Sequence, residues 1–165
     1  DWSSDVCSSD LVSSLAVLPN GDLVAGGRFD TAGGVSAINI ARWDGSAWFP
    51  LGGGLQPAPG PLQAAWVQAV ACLQNGDVLA GGRFATGGGV VARWDGTQWS
   101  PLGTGWYTVV NAIRVLPNGD VLAGGNNGSY GYNVARWNGV GWTNLGTGTA
   151  GGQSTVFAKI GRAHV

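Results

Sequence analysis

The chain has 165 residues, 31 of them glycine and 9 tryptophan, with 10% charged residues and a formal net charge of −1. That balance argues against a nucleic-acid or anionic-membrane partner, since both need clustered Lys and Arg. Glycine at this density without a three-residue period excludes collagen and disfavours long helices, and no apolar run approaches the ~20 residues of a membrane-spanning helix.

Residues 1–11 and 160–165 read as translated sequencing adapter. One frame of an adapter strand encodes the first eleven residues, and its reverse complement encodes Ile160 to Val165 followed by a stop codon, its leading bases completing the codon of Lys159. The segment that bears on folding is therefore expected to be 12–158, with 1–11 and 159–165 set aside. It keeps six Arg and six Asp and no Lys, Glu or His, so His164 and Cys7 carry no chemistry of the fold. Both ends of the segment are expected to be cut points in a longer protein.

Within 12–158 one cassette occurs three times. Asn-Gly-Asp stands at 20–22, 75–77 and 118–120, each followed by two aliphatics and Ala-Gly-Gly. Ala-Arg-Trp then begins at Ala41, Ala92 and Ala135, a second Trp follows at Trp48, Trp99 and Trp142, and Leu-Gly closes each copy. A constant unit with insertions between copies is the mark of a repeat architecture.

Each copy reads as four short strands, in the first about 12–18, 23–29, 38–43 and 47–52. Asn20-Gly21 is the strongest hairpin signal, because a type I′ turn needs positive φ at both central residues. A two-residue turn there places Leu18 opposite Leu23 and Val17 opposite Val24. Asp44-Gly45 marks a second hairpin of ambiguous loop length; a four-residue loop sets Trp43 across from Trp48. Runs such as Val78-Leu79-Ala80 are apolar on both faces, which suits a sheet stacked between neighbours. No segment has a convincing helical period.

Four-stranded meanders at this spacing are the blades of a β-propeller. The expected fold is all-β, a partial β-propeller with three antiparallel blades at about 12–54, 67–105 and 109–148, plus the start of a fourth at Val156-Phe157-Ala158. The cassette resembles the kelch-like and galactose-oxidase-like repeats of secreted bacterial propellers, and those of fungal cortical-marker proteins. Leu-Pro-Asn-Gly-Asp at 18–22 and 116–120, Ala-Gly-Gly-Arg-Phe at 25–29 and 80–84, and the Ala-Arg-Trp segments carry the likeness. It implies a closed ring completed by missing blades of the same chain, and an extracellular or cell-surface location. It does not imply one function, because such scaffolds do many jobs.

The repeat separates architecture from candidate site. Trp43, Trp48, Trp94, Trp99, Trp137 and Trp142 recur in register, so packing between blades is their simplest role. Arg42, Arg93 and Arg136 recur with them, to stack on Trp or pair with the acidic turns. Cys72 takes the place of Val17 and Val115 and reads as a small buried hydrophobe. The unshared aromatics Trp66, Trp106, Tyr107, Tyr130 and Tyr132 fall with the insertions 30–37 and 53–66 in loops at one end of the sheets. They are the candidate ligand-binding residues, for a protein or a sugar.

An enzyme is not expected. No nucleophile has a His base, and five of the six Asp sit in repeated turns. Gly87-Gly88-Gly89 opens no helix that would cradle phosphate, and Asp30 with Thr31 is a thin ligand set for Ca²⁺. No catalytic residue, metal or cofactor is expected, and no nucleic acid or membrane insertion. The expected role is a non-catalytic structural or protein-interaction propeller, with a carbohydrate-binding propeller as the alternative and a propeller enzyme whose site lies outside this segment as the third reading.

Overall fold

The computed structural model describes residues 10–57, 64–85, 91–103, 109–126 and 134–145. Among them there is no helix, and hence none long and apolar enough to cross a membrane. The first sheet holds β1 (Leu11–Val17), β2 (Leu23–Arg28), β5 (Ile40–Trp43) and β6 (Trp48–Pro50), with a two-stranded hairpin, β3 (Thr31–Ala32) and β4 (Val35–Ser36), set between β2 and β5. The second holds β7 (Trp66–Cys72), β8 (Val78–Arg83), β9 (Val91–Trp94) and β10 (Trp99–Pro101). The third holds β11 (Val109–Val115), β12 (Val121–Asn126), β13 (Val134–Trp137) and β14 (Trp142–Asn144). Every four-stranded sheet is an antiparallel meander. The proposed fourth-blade strand at 156–158 lies outside the described residues.

The first hairpin differs from the expected register by one residue. Val17 pairs with Leu23, and Ala16 with Val24. Leu18 O accepts from Gly21 N at 2.9 Å, and Leu18 N donates to Asp22 O at 2.8 Å, so the loop is Pro19-Asn20-Gly21. Only Gly21 has positive φ, 93°. This is a type I turn closed by a left-handed glycine, with Pro19 pre-set at its first central position. The same bonds recur at Leu73–Asp77 and Leu116–Asp120. The slip sorts the faces: Val24 is buried and Val17 exposed, so they do not share a face. The second hairpin has the four-residue loop, and Trp43 pairs with Trp48, Trp94 with Trp99 and Trp137 with Trp142.

The two glycines of Ala-Gly-Gly have different jobs. A β-bulge between Val12 and Ser14 brings Leu11 O to 1.9 Å from where a Cβ on Gly27 would sit. Gly82 and Gly125 meet the same carbonyl in their own sheets. The preceding glycine receives the next sheet instead. A Cβ on Gly26 would lie 2.5 Å from Val67 Cγ1 and 2.7 Å from Val70 Cγ1, and one on Gly81 would lie 2.5 Å from Val110 Cγ1. Two apolar cores form between the sheets. Val24, Ile40 and Leu51 of the first meet Val67, Val70 and Ala92 of the second. Leu79, Val91 and Leu102 meet Val110, Val121 and Ala135 in the same way. Fully burying one such aliphatic side chain contributes roughly 1.5–3 kcal/mol.

The paired indoles join sheet to sheet at the outer hairpins. Each pair is tilted, with ring centroids 5.5, 5.5 and 5.6 Å apart. Trp99 Nε1 donates to Leu51 O at 2.8 Å, and Trp94 lies on Gly52. Trp142 Nε1 donates to Leu102 O at 2.6 Å, and Trp137 lies on Gly103. The recurring Leu-Gly is thus the seat of the following sheet's Trp pair. In the first sheet Trp48 packs instead with Phe29, Ala32, Ala37 and Ala41, against the β3–β4 hairpin.

Candidate functional site

Tight turns join first to second and third to fourth strands, so the longer connections gather at the opposite end of the sheets. Trp66 stands there as the first residue of β7, half-buried, opposite Arg83. It belongs to a strand rather than to the insertion 53–66. The Arg83 guanidinium lies 5.5 Å from its ring centroid, a cation–π contact on one face of the indole. Trp106, Tyr107, Tyr130 and Tyr132 lie outside the described residues, so Trp66 alone of the five candidates is placed.

The insertions at this end are tied down more than the sequence suggests. Asn39 is buried with φ 64°, the sole non-glycine of positive φ among the described residues. Its Nδ2 donates to Leu55 O at 2.8 Å, while Leu55 N donates to Ile38 O at 3.0 Å. Leu55 is buried, and Ala85 N donates to Gln56 O at 2.9 Å, linking this segment to the second sheet. Residues 53–57 therefore seal the seam between two sheets. Sequence reasoning missed both Asn39 and Arg83. Asn tolerates left-handed backbone better than most residues, which is the available signal for the first. The corrected strand register, which sets Arg83 across from Trp66, is the signal for the second.

Asp30 is exposed, and its backbone carbonyl accepts from Ala37 N at 2.9 Å. No group of three or more His, Cys, Asp or Glu side chains able to hold a metal occurs among the described residues. The carboxylates of Asp22, Asp44, Asp77, Asp95 and Asp120 belong to the hairpin turns. Asp77 accepts from Arg93 Nε at 2.6 Å and Asp120 from Arg136 Nε at 2.7 Å, each also bonded by the Asn two residues earlier. Asp22 and Arg42 stand 3.3 Å apart in the first sheet. These pairs tie the first turn to the third strand. Arg42 also lies over Phe49 rather than over a Trp.

Local bonds hold several carboxylates in the ionised form. The side chain of Asn118, then that of Arg136, keeps Asp120 below the usual carboxylate range. The backbone N–H of Ala47 and the hydroxyl and N–H of Ser46 do the same for Asp44. Asp95 is lowered to about 2 by the Thr97 hydroxyl and the N–H groups of Gln98 and Thr97. Burial pushes the Cys72 thiol up to about 11, so it stays a protonated, unreactive group.

An acid limb of stability follows from Asp95. Its folded pKa lies below the ordinary 3.8, so its stabilising contribution is complete above that value and is lost as pH falls toward about 2. Asn138 fills the same position in the third sheet and accepts from Val140 N and Gly141 N at 3.0 Å each. Asp95→Asn is therefore expected to keep the turn while flattening part of the fall in melting temperature across that pH window. Thermal melts of both proteins from neutral pH to pH 2 measure it, and parallel curves would count against it.

Compared with known proteins, the chain matches no protein-family model and no curated protein.

Proposed function

We propose that this chain is an arc of a β-propeller and serves as a non-catalytic structural or protein-interaction module of a secreted or cell-surface protein. The observation that carries the reading is the sheet-to-sheet contact made twice in the same way: Val67 and Val70 on Gly26, Val110 on Gly81, and the second and third Trp pairs each on the Leu-Gly before it. A unit repeated by one operation is how a propeller or solenoid builds an extended scaffold. The surface location rests on the resemblance of the cassette to secreted kelch-like repeats.

The chemistry of the ionisable groups supports a non-catalytic role. A general acid near neutrality needs a raised carboxylate and a cysteine nucleophile needs a lowered thiol. Asp44, Asp95 and Asp120 are shifted down and Cys72 is shifted up, each the wrong way. The carbohydrate-binding reading keeps one observation, the half-buried Trp66 at the loop end, but Arg83 already stands over that ring.

A glycan array with Trp66→Ala and Trp106→Ala beside the parent separates the two readings. No retained glycan is the expected result. A glycan bound by the parent and lost in either variant would replace the scaffold with a sugar-binding propeller.

A further inference from the structure

The chain contains five Asn-Gly pairs, of which Asn127-Gly128 lies outside the described residues. Such a pair is open to a reaction that needs no enzyme, because glycine has no side chain to shield its backbone nitrogen from the preceding amide carbon. Three of the described pairs sit in the first hairpin of their copy and are guarded. Gly21 N, Gly76 N and Gly119 N donate to Leu18 O, Leu73 O and Leu116 O at 2.9, 3.0 and 2.9 Å, so the nitrogen that would attack is committed. The Nδ2 of Asn20, Asn75 and Asn118 donates to the carboxylate of the Asp two residues on, at 2.9, 2.9 and 2.7 Å. That carboxylate repels the negative charge an attacked amide oxygen would develop.

Asn138-Gly139, in the second hairpin of the third copy, is built differently. Both residues are exposed, and Gly139 N has no acceptor among the described residues. Asn138 Oδ1 accepts from Val140 N and Gly141 N at 3.0 Å each. Two backbone N–H groups on one amide oxygen draw electron density from Cγ and stabilise an oxyanion formed there. The first and second copies hold Asp44 and Asp95 in the same cradle. Ser46 N and Ala47 N donate to Asp44 Oδ1 at 2.8 and 2.9 Å, and Thr97 N and Gln98 N to Asp95 Oδ1 at 2.8 and 2.9 Å. An ionised carboxylate is a poor electrophile, so the third copy alone of the three joins this cradle to a reactive amide.

We propose that Asn138 is a site of self-modification, its side-chain amide closing on Gly139 N and then hydrolysing to a carboxylate. The Gly139 N–H gives its proton to a base in solvent while the nitrogen bonds to Asn138 Cγ. The Cγ–Nδ2 bond breaks, and Nδ2 leaves as ammonia. Water then opens the cyclic imide at either carbonyl, giving aspartate or its isomer linked through the side chain. The net change is amide and water to carboxylate and ammonium, with nothing oxidised or reduced. Aspartate fits this turn, since Asp44 and Asp95 occupy it in the other copies. The isomer adds a methylene to the backbone inside the loop that sets Trp137 opposite Trp142. It is therefore expected to loosen that pair from Leu102 and Gly103. The reaction is independent of the scaffold reading and of what the loop end binds.

Incubation of the full chain at mildly alkaline pH, with peptide mapping by mass spectrometry, follows each Asn-Gly pair separately as aspartyl and isoaspartyl peptide. Asn138 is expected to convert on the order of tenfold faster than Asn20, Asn75 or Asn118. In urea strong enough to unfold the chain the four rates should draw together, because each Asn still precedes glycine while the differing hydrogen bonds are gone. Asn138 converting no faster than the other three in the folded chain overturns the proposal. A lead that persists undiminished in urea also overturns it, because it would then come from the neighbouring residues and not from the turn.

Discussion

Gly82→Ala is expected to destabilise the protein by on the order of 3 kcal/mol, among the largest effects of any single methyl group here. The added Cβ would lie 2.2 Å from Trp66 O and 3.0 Å from both Gln68 N and Val67 Cα. These are backbone atoms of a paired strand, so no side-chain rotation relieves the overlap. The β7–β8 ladder must open at its bulge, and β7 carries the Val67 and Val70 that fill the core against the first sheet. Gly53→Ala is the matched control: nothing lies within 4 Å of its Cβ position and its φ is not positive. It should stay within about 0.5 kcal/mol of the parent. Urea denaturation of the three proteins gives the comparison. Equal midpoints for the two variants would mean that Trp66 O does not occupy the space beside Gly82.

Trp99→Ala should cost about 3 kcal/mol, through the cavity between two sheets and the loss of its partner ring Trp94. Trp99→Phe isolates the polar part. It keeps most of the apolar ring but removes the shorter of the two hydrogen bonds to Leu51 O, which keeps Gly54 N at 3.2 Å, at a cost of up to about 1 kcal/mol beyond the lost area. Trp48→Phe should lack that second component, because Trp48 Nε1 finds no acceptor among the described residues. Denaturation midpoints of the two Phe variants decide the matter. An equal loss in both would show that the indole N–H adds nothing to the contact between sheets.

Much of the strand plan was legible in the residues. The five-residue spacing of each Trp pair, with Asp-Gly or Asn-Gly between, led to the observed cross-strand pairing once a four-residue loop was allowed. The first hairpin was read one residue out because Asn-Gly was weighed without the Pro before it. Pro19 favours the first central position of a type I turn, which leaves only Gly21 to take the left-handed conformation. The insertion 30–37 was read as a loop and contains β3 and β4. Two-residue strands have too little alternation to register as a pattern. The candidate site was the least legible part: of its five aromatics only Trp66 is placed, and it is already engaged by Arg83.

The four-stranded antiparallel meander of each copy and the approximate place of its two tight turns were decided by the sequence itself, because turn chemistry and alternation act over a few neighbouring residues. Only the tertiary structure decided what each recurring glycine and leucine receives. Trp99 reaches Leu51 across 48 residues, Trp142 reaches Leu102 across 40, and Val70 N reaches Ser14 Oγ across 56. Contacts at such separations depend on how whole sheets stack, and that is set by the apolar surface that neighbouring sheets bury together.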